Sequence, residues 1–153
     1  MADFTYTQAL ANFPGALIDW DTDDIRLILV MSNTTADTDE DAATVAAMTT
    51  LDEFDGTGYP TTYATRSALI NEAIIKNTSL DRGELDANDF VWASLGAGIR
   101  QAEGIVVYKQ TGSDDTGAIP IFWFDSGGFP FTANGSDVTV QWNVAGIALV
   151  QNS

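Results

Sequence analysis

Residues 104–125, GIVVYKQTGSDDTGAIPIFWFD, place two strand-like runs on either side of a short polar segment. Val, Ile, Tyr, Phe and Trp dominate both runs, and these residue types favour strands because they fit a pleated, half-buried surface. The Gly, Ser and Asp residues between the runs tolerate turn geometry. The stretch therefore predicts a β-hairpin whose acidic tip, Ser113, Asp114 and Asp115, faces solvent or a neighbouring subunit. It contains no side chain that suggests catalysis.

The same strand and turn signals recur along the rest of the chain. Strands are predicted at 25–31, 90–95, 99–109, 119–125 and 137–143, with one or two more within 65–77 and a closing segment at 146–150. Residues 80–88 indicate turns, residues 39–48 a short helix, and residues 4–13 a short helix or an arm. Seven to nine short strands with one or two short helices predict an all-β fold, either an antiparallel β-sandwich or a jelly roll.

A chain of 153 residues is most simply one domain, here 1–153, with residues 1–15 as an N-terminal arm or short helix. The opening residues MADFTYTQAL lack the basic region and apolar run of a signal peptide. No apolar stretch approaches the roughly 20 residues that span a bilayer. We therefore expect no membrane partner.

Composition excludes several functional classes. The chain has no histidine and no cysteine, so a Ser-His-Asp triad, a Cys-His pair and a His-ligated zinc site are impossible. Its 22 acidic residues outnumber 6 basic ones, and the net charge of −16 disfavours contact with nucleic acid. Nothing singles out one pair among these carboxylates for glycoside hydrolysis. The sequence therefore predicts a protein that is not an enzyme, needs no cofactor and binds no nucleic acid.

Three carboxylates, Asp19, Asp21 and Asp23, have the spacing of the first half of a calcium-binding loop. The pattern then fails, because Asp24 stands where the loop needs glycine and Val30 where it needs a bidentate glutamate. Two interpretations stay open. The residues are weak candidates for a metal site in an irregular loop, or they cap and turn the chain before a buried strand.

The four tryptophans raise the question of carbohydrate binding. Trp92, Trp123 and Trp142 lie in strand-like segments, which favours packing in the core. Trp20 lies in an acidic turn and is the best exposed candidate for stacking on a sugar ring.

Five segments taken in order resemble a widespread family of small virion proteins of tailed bacteriophages. They are ALIDWDTDDIRLILV, DGTGYPTTYATRSAL, DANDFVWASLGAGIRQAEGIVVYKQTG, IPIFWFDSGG and DVTVQWNVAGIALV. The resemblance covers roughly residues 16–150. It departs from the family pattern in the long region 32–55 and in FWFDSGGFPF, two places where contacts with specific partners could vary.

The resemblance implies a structural component of the virion. The first hypothesis is a capsid decoration (cement) protein on the outer surface of the major capsid shell, with the major capsid protein as partner and a dimer or trimer as its own assembly state. For this role we expect partner contacts from Phe4, Tyr6 and Phe13 in the arm, from the 32–55 region, and from Phe129 and Phe131. The alternative is a tail, neck or fibre component, including a module that binds host glycans.

Overall fold

A computed structural model describes residues 2–151 of the chain, so Met1, Asn152 and Ser153 of the expected domain lie outside the described residues. In chain order its elements are β1 (Phe4–Thr5), α1 (Thr7–Asn12), β2 (Ile25–Met31), β3 (Ser67–Ala68), β4 (Ala73–Asn77), β5 (Arg82–Asp86), β6 (Phe90–Trp92), β7 (Ala102–Lys109), β8 (Ile119–Phe124), β9 (Val138–Val140) and β10 (Ala148–Gln151). Single 3-10 turns lie at Val45–Ala47 and Tyr63–Thr65. The strands pair antiparallel, which confirms the predicted all-β fold.

The strands form one large sheet and two small ones. The large sheet has the order β1-β8-β7-β2-β3, and the small sheets have the orders β10-β5-β4 and β6-β9. The hairpin predicted from residues 104–125 is the pair β7 and β8, in which Ile105 lies opposite Phe124 and Lys109 opposite Ile119. It forms the middle of the large sheet beside β2.

The large sheet is buried on both faces. Along β2, Leu27 and Leu29 lie in one core cluster, whereas Ile28 and Val30 lie in a second. The first cluster includes Leu85 and Trp92 of the small sheets, so this half has the layered arrangement of a sandwich. The second is closed by a loop segment that contributes Ala36, Ala42, Val45 and Met48. A strand covered on both faces explains why β2 is a nearly continuous apolar run.

The helix predicted for residues 39–48 is wrong. Only the 3-10 turn at Val45–Ala47 is present there. The carboxylate of Asp39 accepts hydrogen bonds from Thr35 Oγ1 and from the backbone N–H of Thr49, both at 2.6 Å. Such side-chain bonds compete with helical ones, and here they close the segment into a loop. Much of the 32–55 region is therefore committed to covering the sheet.

The turns predicted for residues 80–88 are also wrong, because Arg82–Asp86 forms the central strand of a small sheet. Its polar residues are tolerated because they bind one another. Glu84 accepts hydrogen bonds from Arg82 Nε and Asn77 Nδ2, each at 2.8 Å. Pairing with β4 and β10 on both sides overrides the weak local preference for strand.

Candidate binding surfaces

The three aspartates of the candidate metal loop are used within the turn. Asp23 Oδ2 accepts a hydrogen bond from the backbone N–H of Asp19 at 2.7 Å and lies 2.7 Å from Lys109 Nζ. A hydrogen bond shared with Asp19 raises the pKa of the exposed Asp21 carboxyl. Within residues 2–151, no group of three or more acidic side chains is arranged to hold a metal ion. The geometry favours the capping and turning role.

The N-terminal aromatic residues are largely part of the fold. Tyr6 is fully buried and its hydroxyl donates a 2.7 Å hydrogen bond to Ala36 O, so its assignment as a partner contact is wrong. Phe4 is half-buried in β1 with its ring 5.0 Å from that of Tyr6. Phe13 is half-buried with its ring 6.2 Å from that of Phe122. For Phe4 and Phe13, contact with a partner stays a prediction.

Trp20 cannot serve as an exposed sugar platform. Its side chain is 1% exposed, and its indole N–H donates a 2.9 Å hydrogen bond to Asp86 O. The acidic residues around Trp20 suggested an exposed turn, but the ring passes beneath the turn into the first core cluster.

The two aspartates of the hairpin tip have different partners. Asp114 accepts hydrogen bonds from the backbone N–H and hydroxyl of Thr116, which lower its pKa. Asp115 instead forms an ion pair with Arg66, which is buried. The prediction that the tip faces solvent or a neighbouring subunit therefore holds only in part for Asp115, whose side chain is 30% exposed.

Four exposed apolar side chains lie on the three-stranded sheet β10-β5-β4. Ile74, Ile75, Leu149 and Val150, which we call the apolar sheet surface, are 55%, 40%, 41% and 69% exposed. Consecutive strand residues point to opposite faces, so both faces of this sheet carry exposed apolar groups. The outer strand β4 includes Lys76, whereas β10, with the sequence ALVQ, carries neither charge nor proline. Charge and proline are the usual protection of an edge strand, so β10 is an unprotected edge.

A second surface is a cleft between β9 and the end of β8, which we call the aromatic cleft. It encloses about 420 Å³. Its apolar walls are formed by Trp92, Phe124, Phe129, Phe131 and Trp142, together with Ile105, Val138, Val140 and Ile147; its polar lining residues are Asp3, Ser126, Thr139, Gln141 and Asn143. Phe129 and Phe131, which the sequence proposed as contacts, meet in one wall with ring centroids 5.4 Å apart.

The loop that forms this wall is held at both ends. The Asp3 carboxylate accepts hydrogen bonds from the backbone N–H groups of Asp125 at 2.9 Å and Ser126 at 3.0 Å. At the other end, Phe131 and Ala102 exchange two backbone hydrogen bonds of 2.9 and 3.0 Å. The loop is thereby fixed beside β7 and β8, and its shape is defined before any ligand arrives.

Trp142 separates the aromatic cleft from an adjoining open depression. Its ring centroid lies 5.7 Å from that of Phe124, and its indole N–H donates a 3.1 Å hydrogen bond to Asn88 O. The depression encloses about 690 Å³ and is lined by Asp86, Ala87, Asp89, Gln141, Trp142, Asn143 and Val144. The alternation of Val138, Val140 and Trp142 placed these residues on one face, and that face packs on the core. Sequence reasoning missed the cleft, because its lining also includes Asp3, Trp92 and Ile105, which are far from residues 124–143 in the chain.

No helix in the described part of the chain is long and apolar enough to cross a membrane. Comparisons with protein-family models, with curated proteins and with solved structures found no match for this chain.

Proposed function

We propose that this chain is a non-enzymatic virion protein of a tailed bacteriophage, a capsid decoration protein that binds the outer surface of the major capsid shell. The apolar sheet surface is the observation that carries the proposal. Grouped exposed apolar side chains mark interaction sites. Here Ile75 and Leu149 lie on one face of the sheet, and Ile74 and Val150 lie on the other. The strongly acidic composition supports an outer rather than a DNA-facing position, because DNA phosphates repel it.

The proposed mechanism is binding to the assembled shell. A ligand that binds only the assembled state stabilises that state by mass action, so each bound copy makes dissociation of the shell less favourable. Fully burying one Ile, Leu or Val side chain contributes about 1.5–3 kcal/mol. The unprotected edge of β10 adds backbone groups that could pair with a neighbouring strand. A dimer or trimer of this chain would repeat the same surface around a symmetry axis.

The experiment combines purified chain with shells that lack it, prepared from the phage that encodes it. Co-sedimentation measures binding, and the temperature at which the shells release their contents measures stabilisation. We expect saturable binding and a higher release temperature. Val150→Lys on the apolar sheet surface should weaken binding at least about tenfold, equivalent to 1.4 kcal/mol.

Ile99→Lys is the matched control, because Ile99 is 72% exposed but lies outside the apolar sheet surface. It should bind like the unmodified chain. Absence of binding to shells, or binding without any change in release temperature, would contradict the decoration role. A copy number in whole particles that matches a tail ring or fibre, rather than the shell lattice, would favour the tail alternative.

A further inference from the structure

We propose that the aromatic cleft binds an extended peptide segment of a partner protein, which adds a strand to the open edge of β9 and inserts an apolar side chain between the aromatic walls. The inference concerns a surface separate from the apolar sheet surface. It holds whether or not the chain decorates a capsid.

The first argument is the open strand edge. Within residues 2–151, β9 pairs with β6 alone, so one edge of β9 has no strand partner. Residues 138–143 all line the cleft, including Thr139 and Gln141, which point to the opposite face from Val138 and Val140. A cavity that meets both sets of residues runs along the edge of the strand. Peptides commonly bind such edges through main-chain hydrogen bonds.

The second argument is the character of the walls. Phe124, Phe129, Phe131 and Trp142 are half-buried, so each ring keeps part of its surface open to a ligand. Aromatic pockets of this kind hold the anchor residues that dominate binding energy at interfaces. The volume of about 420 Å³ falls within the usual range for ligand sites. It is large enough for one or two apolar side chains.

The third argument is rigidity. The anchors at Asp3 and at the Phe131–Ala102 bridge hold the loop wall on both sides. Between them, Gly127 and Gly128 have φ values of 75° and 129°, which favour glycine. A wall that is already shaped costs less conformational entropy on binding.

Charge defines the occupant further. The residues that line the cleft and the adjoining depression include Asp3, Asp86 and Asp89 but neither lysine nor arginine. The whole chain carries a net charge of −16. An acidic segment, including one from a second copy of this chain, would be repelled, whereas a basic segment would be attracted. A saccharide could use Trp142 and the carboxylates, but it offers no backbone pattern to complete a strand edge.

The experiment selects binders to the full chain from a displayed library of random linear seven-residue peptides. We expect enriched sequences with apolar residues at alternate positions, with Lys or Arg present and with Asp and Glu depleted. Synthetic versions are then measured by calorimetry. Methylating single peptide nitrogens should abolish binding at alternate positions, because only every second N–H of an added strand faces β9.

Two variants test the location. Trp142→Ala and Phe129→Ala should each raise the dissociation constant of the selected peptides at least about tenfold, equivalent to 1.4 kcal/mol. Val91→Ala is the control, because Val91 is exposed on β6 and does not line the cleft. The proposal is overturned if no peptide is enriched. It is also overturned if the enriched peptides bind both cleft variants as tightly as the unmodified chain and if methylation of their nitrogens does not weaken binding. A glycan-array signal that Trp142→Ala removes, with no peptide selected, would assign the cleft to saccharides instead.

Discussion

Arg66 forms an ion pair with Asp115, which lies 49 positions further along the chain at the hairpin tip. The same guanidinium lies 2.7 Å from Glu53 Oε2, and the rings of Tyr63 and Tyr108 flank it with centroids 5.4 and 5.5 Å from Arg66 Cζ. Only 3% of the Arg66 side chain is exposed. The buried guanidinium of Arg66 thus links the hairpin tip to the segment around Arg66 itself and to the segment around Glu53.

Replacing Arg66 with methionine should destabilise the fold by about 3 kcal/mol, because it leaves two carboxylates with less compensation in a partly buried site. The measurement is urea unfolding at neutral pH. Arg100→Met is the matched control. Arg100 is 39% exposed, and its partner Asp52, although only 7% exposed, keeps a hydrogen bond from the backbone N–H of Asn33, so loss of Arg100 should cost less than loss of Arg66. Equal losses for the two variants would contradict the special role of Arg66.

The tyrosines predict instability in alkali. Burial raises the pKa of all four, to about 12 for Tyr108 and in the same direction for Tyr6, Tyr59 and Tyr63. A phenol whose pKa is higher in the folded state than in the unfolded state, where it is about 10, contributes fully to stability below pH 10. This contribution to the free energy of unfolding is lost as the pH rises through the pKa of the folded state. Phenolate absorbance should therefore develop together with loss of near-ultraviolet circular dichroism. Ionisation near pH 10 with the fold intact would refute this expectation.

Asp39 predicts a loss of stability in acid. Hydrogen bonds from Thr35 and from the Thr49 backbone lower its pKa. Its contribution is therefore present above the unfolded value of about 3.9 and is lost as pH falls through the folded value. Asp39→Asn should be less stable than the unmodified chain at pH 7, and the difference should shrink below about pH 4. Asp81→Asn, in the turn between β4 and β5, is the control and should show no comparable loss at pH 7.

Gly104 tests packing inside the large sheet. A Cβ at this position would collide with the ring of Trp123 and lie 2.8 Å from Phe124 O. Gly104→Ala should therefore cost about 1–3 kcal/mol through overpacking, measured by thermal or urea unfolding. Gly83→Ala provides the matched control within a strand, because its Cβ would meet no atom closer than 3.8 Å. It should leave stability nearly unchanged, and a larger loss at Gly83 than at Gly104 would be inconsistent with this packing.

The strands that were predictable are those whose signal is local. Residues 25–31 were predicted as a strand, and β2 has those bounds, because a short and nearly continuous apolar run is typical of a strand that is buried on both faces. The β7–β8 hairpin was equally clear, since its turn and both partners are contiguous. The strand β5 was missed because its stability depends on partners on both sides rather than on its own residues.

The binding surfaces were less predictable for the same reason. Phe129 and Phe131 were identified from their loop, but nothing local indicated that Trp142 and Asp3 would join them. Trp20 was misassigned because acidic neighbours indicate an exposed turn, whereas the direction of one ring depends on the core beneath it. Each of these outcomes is decided by contacts between residues that are distant in sequence.

The bond between Asp3 and Ser126 spans 123 positions of the chain. A polypeptide leaving the ribosome therefore presents β1 long before β8, its only strand partner in the described sheets, exists. During that interval the first residues and the unfinished sheet remain open to other chains. The cleft cannot take shape until synthesis has passed residue 147, so partners that depend on it cannot bind the chain at any earlier stage of synthesis.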